Sequence, residues 1–279
     1  MNRKIIFMAF TGILLAGCNP ASETTPPVSG GTLPTDTLTA SNTTDAFKKL
    51  EINDIKVGLG DLVADEGDLI VVGYEGSFPG NGKTFDTNTD FNDKTPGEIQ
   101  PYSYLIGNPN VILGWAQGLK GIKKGGVREL MIPYELAYGK EGSPTKGIAP
   151  MQDLKFKIEC LYIVKKGKEG EIESTDVVIG PGQRAGTADF VKVHYTGRFL
   201  NGLKFDSSYG KSPETPLGFR LGKGDVIKGW DDGILGMKIG GKRNLIIPPL
   251  LAYGINGNEA IGPHQVLEFD VELTWIEKK

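Results

Sequence analysis

Five residue pairs recur along the chain in the same order: Tyr74 with Tyr195, Asp86 with Asp206, Trp115 with Trp230, Tyr138 with Tyr253, and Phe156 with Phe269. Each set holds two phenols, one carboxylate, one indole and one phenyl ring. Such a set offers apolar surface and a few hydrogen bonds. It lacks the parts needed for nucleophilic or metal chemistry. The two histidines, His194 and His264, face Gly73 and Met151 in the other copy, so they read as surface or loop residues. No cysteine–histidine spacing suits a metal. The pairs Gly125–Gly126 and Gly240–Gly241 lack the spacing and strand–loop–helix order of a phosphate loop and read as turns. Lys123 and Lys124 read as a solvated face.

These pairs belong to a long internal repeat. "GWAQGLKGIKKGGVRELMIPYELAYG" from Gly114 and "GWDDGILGMKIGGKRNLIIPPLLAYG" from Gly229 align without a gap, with more than half their positions identical. The two tryptophans stand 115 residues apart, far beyond the ~20–50 residues of solenoid repeats, so two whole domains of one fold are expected. Most segments alternate with period two. Val191, Val193 and Tyr195 face one way, and Lys192, His194 and Thr196 the other. Phe269, Val271 and Leu273 alternate with Asp270 and Glu272. This is the pattern of half-buried antiparallel strands. Asn81-Gly82 and Asn201-Gly202 between such runs signal hairpins. Only 111–120 and 226–235 look helical, so each domain is expected to be α+β, with one short helix on one sheet face. Gly229 and Gly233 would let that helix approach the sheet closely. Trp230 is then either a core side chain or the floor of a cavity. The residues alone favour the core, since burying a large apolar side chain is worth ~1.5–3 kcal/mol for any purpose.

The N-terminus reads separately. "MNRK" is a basic start, "IIFMAFTGILL" a short apolar run, and "LAGC" ends in Cys18. The apolar run is too short to span a bilayer. The pattern resembles a bacterial lipoprotein signal, which implies cleavage after residue 17 and lipidation of Cys18. Residues 18–44, rich in Thr, Ser, Pro and Gly, read as a flexible tether. The expected domains are 45–165 and 176–279, joined by a polar linker at 166–175. Cys160 pairs with Leu273 in the repeat and is expected to be a buried, inert thiol. Formal net charge is −3 with no basic face, which excludes nucleic acid as the expected partner.

Residues 176–279, through "VKVHYTGRFLNGLKFD", "FRLGKGDVIKGWDDGILGMKIGGKR", "IPPLLAYG", "IGPH" and "LEFDVEL", resemble the FKBP-type peptidyl-prolyl isomerase family. Residues 47–165 match more loosely but keep the tryptophan, "AYG" and final-phenylalanine motifs. The resemblance implies a five- or six-stranded antiparallel sheet wrapped around one short helix, with an aromatic pocket between them. In the second domain it assigns that pocket to Tyr195, Phe205, Asp206, Phe219, Asp225, Val226, Ile227, Trp230, Tyr253, Ile261 and Phe269. Trp230 is the implied floor, and Tyr195, Phe219 and Phe269 the walls. The Ile227 N–H and the Tyr253 hydroxyl are the implied holders of substrate carbonyls. Asp206 is the implied acceptor near the twisting amide. In the first domain the positions are Tyr74, Phe85, Asp86, Tyr104, Val111, Ile112, Trp115, Tyr138, Ile148 and Phe156. Four positions depart from the family pattern: Leu217 and Tyr102 replace a phenylalanine, and Asp225 and Asn110 replace a glutamate. The stretch from Asp86 to Tyr102 is also five residues longer than that from Asp206 to Leu217.

The implied function is cis–trans isomerisation of X-Pro bonds in exported proteins. It needs no cofactor, and macrolide inhibitors of the family would be ligands. The alternative is a non-catalytic module that holds proline-containing segments, above all in the first domain. The loops after each "AYG" are short, which argues against an inserted chaperone domain. No long N-terminal dimerisation helix is read, so a monomer is expected. The anchor would be lipid on the bacterial cell envelope, and Asn19 leans toward the outer membrane.

Overall fold

The computed structural model describes residues 49–91, 99–210 and 213–279. The expected leader, Cys18 and the tether lie outside the described residues. The first domain contains β1 (Glu51–Lys56), β2 (Leu69–Ser77), β3 (Thr84–Thr87), β4 (Tyr102–Leu105), α1 (Leu113–Gly118), β5 (Val127–Ile132) and β6 (Leu154–Val164). The second repeats the plan with β7 (Glu173–Val178), β8 (Phe190–Phe199), β9 (Lys204–Ser207), β10 (Leu217–Arg220), α2 (Lys228–Ile234), β11 (Lys242–Ile247) and β12 (Leu267–Glu277). Each domain is a six-stranded antiparallel sheet. In the first the order is β1-β5-β6-β2-β3, with β4 also paired to β2. In the second it is β10-β8-β12-β11-β7, with β9 also paired to β8.

The alternation read in the sequence is the burial pattern of the central strands. Val191, Val193, Tyr195, Phe269, Val271 and Leu273 are buried, and their intervening neighbours are not. Both Asn-Gly pairs are the expected turns. Gly82 and Gly202 take φ of 69° and 85°, which side chains rarely adopt. β7 begins at Glu173 and so straddles the expected boundary between linker and domain. Like β1 it is an edge strand, exposed at every position and marked by charges that discourage further pairing.

The helices are shorter than expected. They run six and seven residues, because Ile112 and Ile227 stand at the caps with extended ψ of 144° and 145°. Arginines close the other ends. Arg128 Nη1 donates to the carbonyls of Gly118 and Lys120 at 2.8 Å each, and Arg243 Nη1 donates to Gly233 O at 2.7 Å. Asp54 and Asp176 hold these guanidinium groups at 2.7 Å. Carbonyls at a helix end have no intrahelical partner, and here the arginines supply one.

Close approach of helix to sheet is literal. A Cβ on Gly114 would stand 2.4 Å from Ile132 Cγ2, and one on Gly229 would stand 2.4 Å from Ile247 Cγ2. One turn later, Gly118 and Gly233 meet Leu130 and Leu245 at 2.7 and 2.9 Å by the same measure. Each domain has its own core, gathered around Trp115 or Trp230. A third apolar seam, absent from the sequence reading, joins Leu69, Val71, Tyr162 and Val164 of the first domain to Val266 of the second.

Candidate active site

In the second domain the short helix sets Trp230 against the sheet residues Tyr195, Phe219 and Phe269. Its indole is fully buried and meets Tyr195 edge-on at 4.9 Å, Phe269 edge-on at 5.3 Å and Phe219 tilted at 5.9 Å. Phe205 stands edge-on to Phe269 at 5.6 Å. Offset and edge contacts of this kind suit the ring quadrupoles. Val226, Ile227, Tyr253 and Leu217 pack half-buried against the same cluster, and Ile261 is buried in it. Gly197 makes room for two of these rings, since a Cβ there would meet Phe205 Cζ at 2.7 Å and Phe269 Cε1 at 2.8 Å.

Polar groups are few. Tyr195 donates its hydroxyl to Asp206 Oδ2 in a short bond, and Asp206 Oδ1 accepts the Ser207 N–H at 2.8 Å. Burial, reinforced by Asp206, pushes the Tyr195 phenol upward. The same two causes push Tyr253 up to about 12. Both phenols are therefore protonated donors at neutral pH. The carbonyl of Ile227 accepts from Trp230 N at 2.9 Å, while its own N–H lies at the helix start, where no intrahelical acceptor exists. Asp225 Oδ2 accepts the Arg220 N–H at 3.0 Å and ties the preceding loop.

The first domain repeats the arrangement. Trp115 meets Tyr74 at 5.2 Å, Phe156 at 5.2 Å and Tyr104 at 5.9 Å, and Phe85 stands edge-on to Phe156 at 5.6 Å. Ile148 is buried in the same cluster, against which Val111, Ile112 and Tyr138 pack. Two details differ. Tyr102 lies stacked on Tyr104 at 5.8 Å and edge-on to Trp115 at 6.1 Å, so it adds a phenol where Leu217 has only methyl groups. Lys146 Nζ pairs with Asp86 Oδ2 at 2.8 Å. That lysine sits in a 3-10 turn at 144–146, within a loop two residues longer than its counterpart. The sequence reading did not single it out, although the extra length was the available signal. The Asn110 N–H is taken by Asn108 Oδ1 at 2.9 Å, within its own loop.

His194 and Cys160 take structural positions. His194 Nδ1 lies 3.0 Å from Ser208 Oγ and the ring stacks on Tyr209 at 4.7 Å. Cys160 is fully buried, and burial pushes its thiol up to about 12. Cys160 is thus part of the apolar core gathered around Trp115, whereas His194 belongs to neither ring core. Each site thus amounts to a buried aromatic cluster with phenols and one carboxylate at its edge, two phenols in the second domain and four in the first. It can favour a less polar conformation of a bound group and donate hydrogen bonds to it.

The family model described as FKBP-type peptidyl-prolyl cis-trans isomerase matches the chain twice, over residues 60–161 and 182–274. Human peptidyl-prolyl cis-trans isomerase FKBP10 is 32% identical over 212 residues, covering 76% of this chain and 34% of that protein. FK506-binding protein 2 of Dictyostelium discoideum is 54% identical over 91 residues, covering 32% of this chain and 67% of that protein. The chain thus spans about a third of the length of the curated relative it matches most broadly here. Among solved structures, AtFKBP13 is 43% identical, covering 38% of this chain and 93% of that chain at a TM-score of 0.35. FkpA from Escherichia coli is 42% identical, covering 38% and 48%, also at a TM-score of 0.35. With both repeats matched over nearly their whole length, the chain belongs to the FKBP-type peptidyl-prolyl cis-trans isomerase family.

Proposed function

We propose that the chain catalyses cis–trans isomerisation of X-Pro bonds in exported polypeptides. The observation that carries this reading is the buried indole under Tyr195, Phe219 and Phe269, with the Tyr195–Asp206 pair at its edge. Amide resonance sets the barrier to rotation at about 18–20 kcal/mol. Uncatalysed exchange takes roughly tens to hundreds of seconds. Twisting the bond removes the resonance and leaves a less polar, non-planar amide. An apolar, ring-lined hollow favours that state over the planar one, and fixed donors select its geometry. Phe205, Asp206, Val226, Ile227, Tyr253 and Ile261 orient the chain on either side of the proline. No proton transfer is required, in keeping with phenols held protonated. An FK506-class macrolide is the expected competitor. Accelerated exchange of an X-Pro peptide, suppressed by that macrolide, is the expected result; a rate equal to that in buffer contradicts the reading.

For the first domain a second reading has its own support. Lys146 neutralises Asp86, and Tyr102 narrows the wall, so this pocket holds proline segments with slower turnover. In a chain whose second site carries Trp230→Phe, Lys146→Met is expected to raise the residual kcat/KM by about threefold, the kinetic equivalent of a modest surface ion pair. A fall in that residual rate would instead make Lys146 part of the first site.

The chain is further proposed to act as a monomer on the bacterial cell envelope, held by lipid on Cys18. The N-terminal sequence pattern supports this. Labelled palmitate should enter the chain and fail to enter the Cys18→Ala variant; equal labelling of both overturns the anchor.

A further inference from the structure

The rim of the second site is held by the first domain. Gln100, on the stretch leading into β4, donates from Nε2 to Ala260 O at 2.8 Å and accepts the Gly262 N–H on Oε1 at 2.8 Å. One carboxamide thus grips the residues on both sides of Ile261, which is buried in the Trp230 cluster. Flanking bonds fix the same stretch. Asn201 Nδ2 donates to Ile99 O and Gln265 Nε2 donates to Pro101 O, each at 2.8 Å. Val266, next along the rim, is fully buried in the apolar seam between the domains. Gly262 leaves just enough room, since a Cβ there would stand 2.9 Å from Gln100 Oε1.

The two rims differ in what holds them. In the first domain Ser143 and Ile148 exchange both backbone bonds at 2.9 Å and close that loop on itself. In the second, Ile261 N–H goes to the Asn258 side chain at 2.8 Å, and only Asn258 N–H to Ile261 O, at 2.7 Å, is a direct backbone bond across the loop. The Gln100 clasp supplies the remainder.

We propose that Gln100 is a positioning residue for the second site: the first domain presets the Ile261 wall, and so sets the affinity of the second site for its proline segment. This rests on the isomerase reading and adds a role for the first domain that its own pocket does not perform.

The test uses the full chain carrying Asp86→Ala, so that turnover chiefly reports the second site. Gln100→Met keeps the length and removes both bonds. It is expected to raise KM about fivefold while kcat stays within about twofold, the size of one or two lost hydrogen bonds expressed in substrate binding. Gln100→Glu keeps an acceptor for Gly262 but sets a carboxylate oxygen against Ala260 O, and should raise KM at least as much as Gln100→Met. Gly262→Ala, which displaces the carboxamide from the other side, should reproduce the Gln100→Met effect. Amide hydrogen exchange over 258–265 should speed up in Gln100→Met and elsewhere remain as in the parent. Unchanged KM and unchanged exchange overturn the proposal, as does a fall in kcat with loosening spread over the whole domain. Should the parent show no isomerisation, the functional reading fails while the exchange measurement still decides whether Gln100 sets the rim.

Discussion

Trp230→Ala is expected to remove most of the second domain's activity and much of its stability. The indole is fully buried and touches three rings at once. Truncating a buried tryptophan costs about 3–5 kcal/mol through lost contacts and the cavity left behind. That is a large share of the roughly 5–15 kcal/mol by which domains are stable. Loss of activity could therefore follow from unfolding alone. Trp230→Phe separates the two effects. It keeps an aromatic ring on the helix and should fold, yet it lowers the floor of the proposed proline site. A fall in kcat/KM of at least about tenfold, or ~1.4 kcal/mol of transition-state stabilisation, is expected with a cooperative melt retained. Circular dichroism melts and exchange rates on the same samples check both halves. An unchanged rate in Trp230→Phe would mean that the indole is core and nothing more.

The second large effect concerns the helix that carries the indole. Gly229→Ala should improve helix propensity by up to about 1 kcal/mol. It nevertheless places a methyl group 2.4 Å from Ile247 Cγ2, in a strand residue with no exposed surface. Overpacking of this kind costs about 1–3 kcal/mol. Ile247 is β-branched and stiff, so the helix must lift and take Trp230 with it. Net destabilisation together with reduced turnover is expected. Stabilisation, the outcome predicted by propensity alone, would show that the helix does not depend on this close approach. Gly114→Ala in the first domain should behave alike, because Ile132 stands at the same distance.

Those two glycines were readable before any coordinates, because the repeat presents them twice beside the same tryptophan. Strands such as β8 and β12 announced themselves by alternation, and the turns by Asn-Gly. The helix ends were not readable to the residue. Apolar Val111, Ile112, Val226 and Ile227 continue a helical pattern, yet the backbone is extended at Ile112 and Ile227, and all four side chains pack against the ring clusters. Arg128 and Arg243 look like ordinary strand charges in sequence. Their roles appear only when the helix C-termini arrive beside them. The Lys146–Asp86 pair joins residues 60 positions apart across a loop, and no periodicity encodes such a meeting. The seam holding Val266 against Leu69 and Val164 likewise depends on how two domains meet. A repeat, which describes each domain by the other, carries no information about what lies between them.

The most direct measurement is the cis–trans exchange rate of an X-Pro peptide by magnetisation-transfer NMR. It should compare the parent with a chain carrying both Trp115→Phe and Trp230→Phe. The parent is expected to exchange the peptide far faster than the solution rate, and the double variant to lose most of that gain while remaining folded. Equal acceleration by both chains, or none by the parent, would contradict the claim that the two ring-lined hollows do the work.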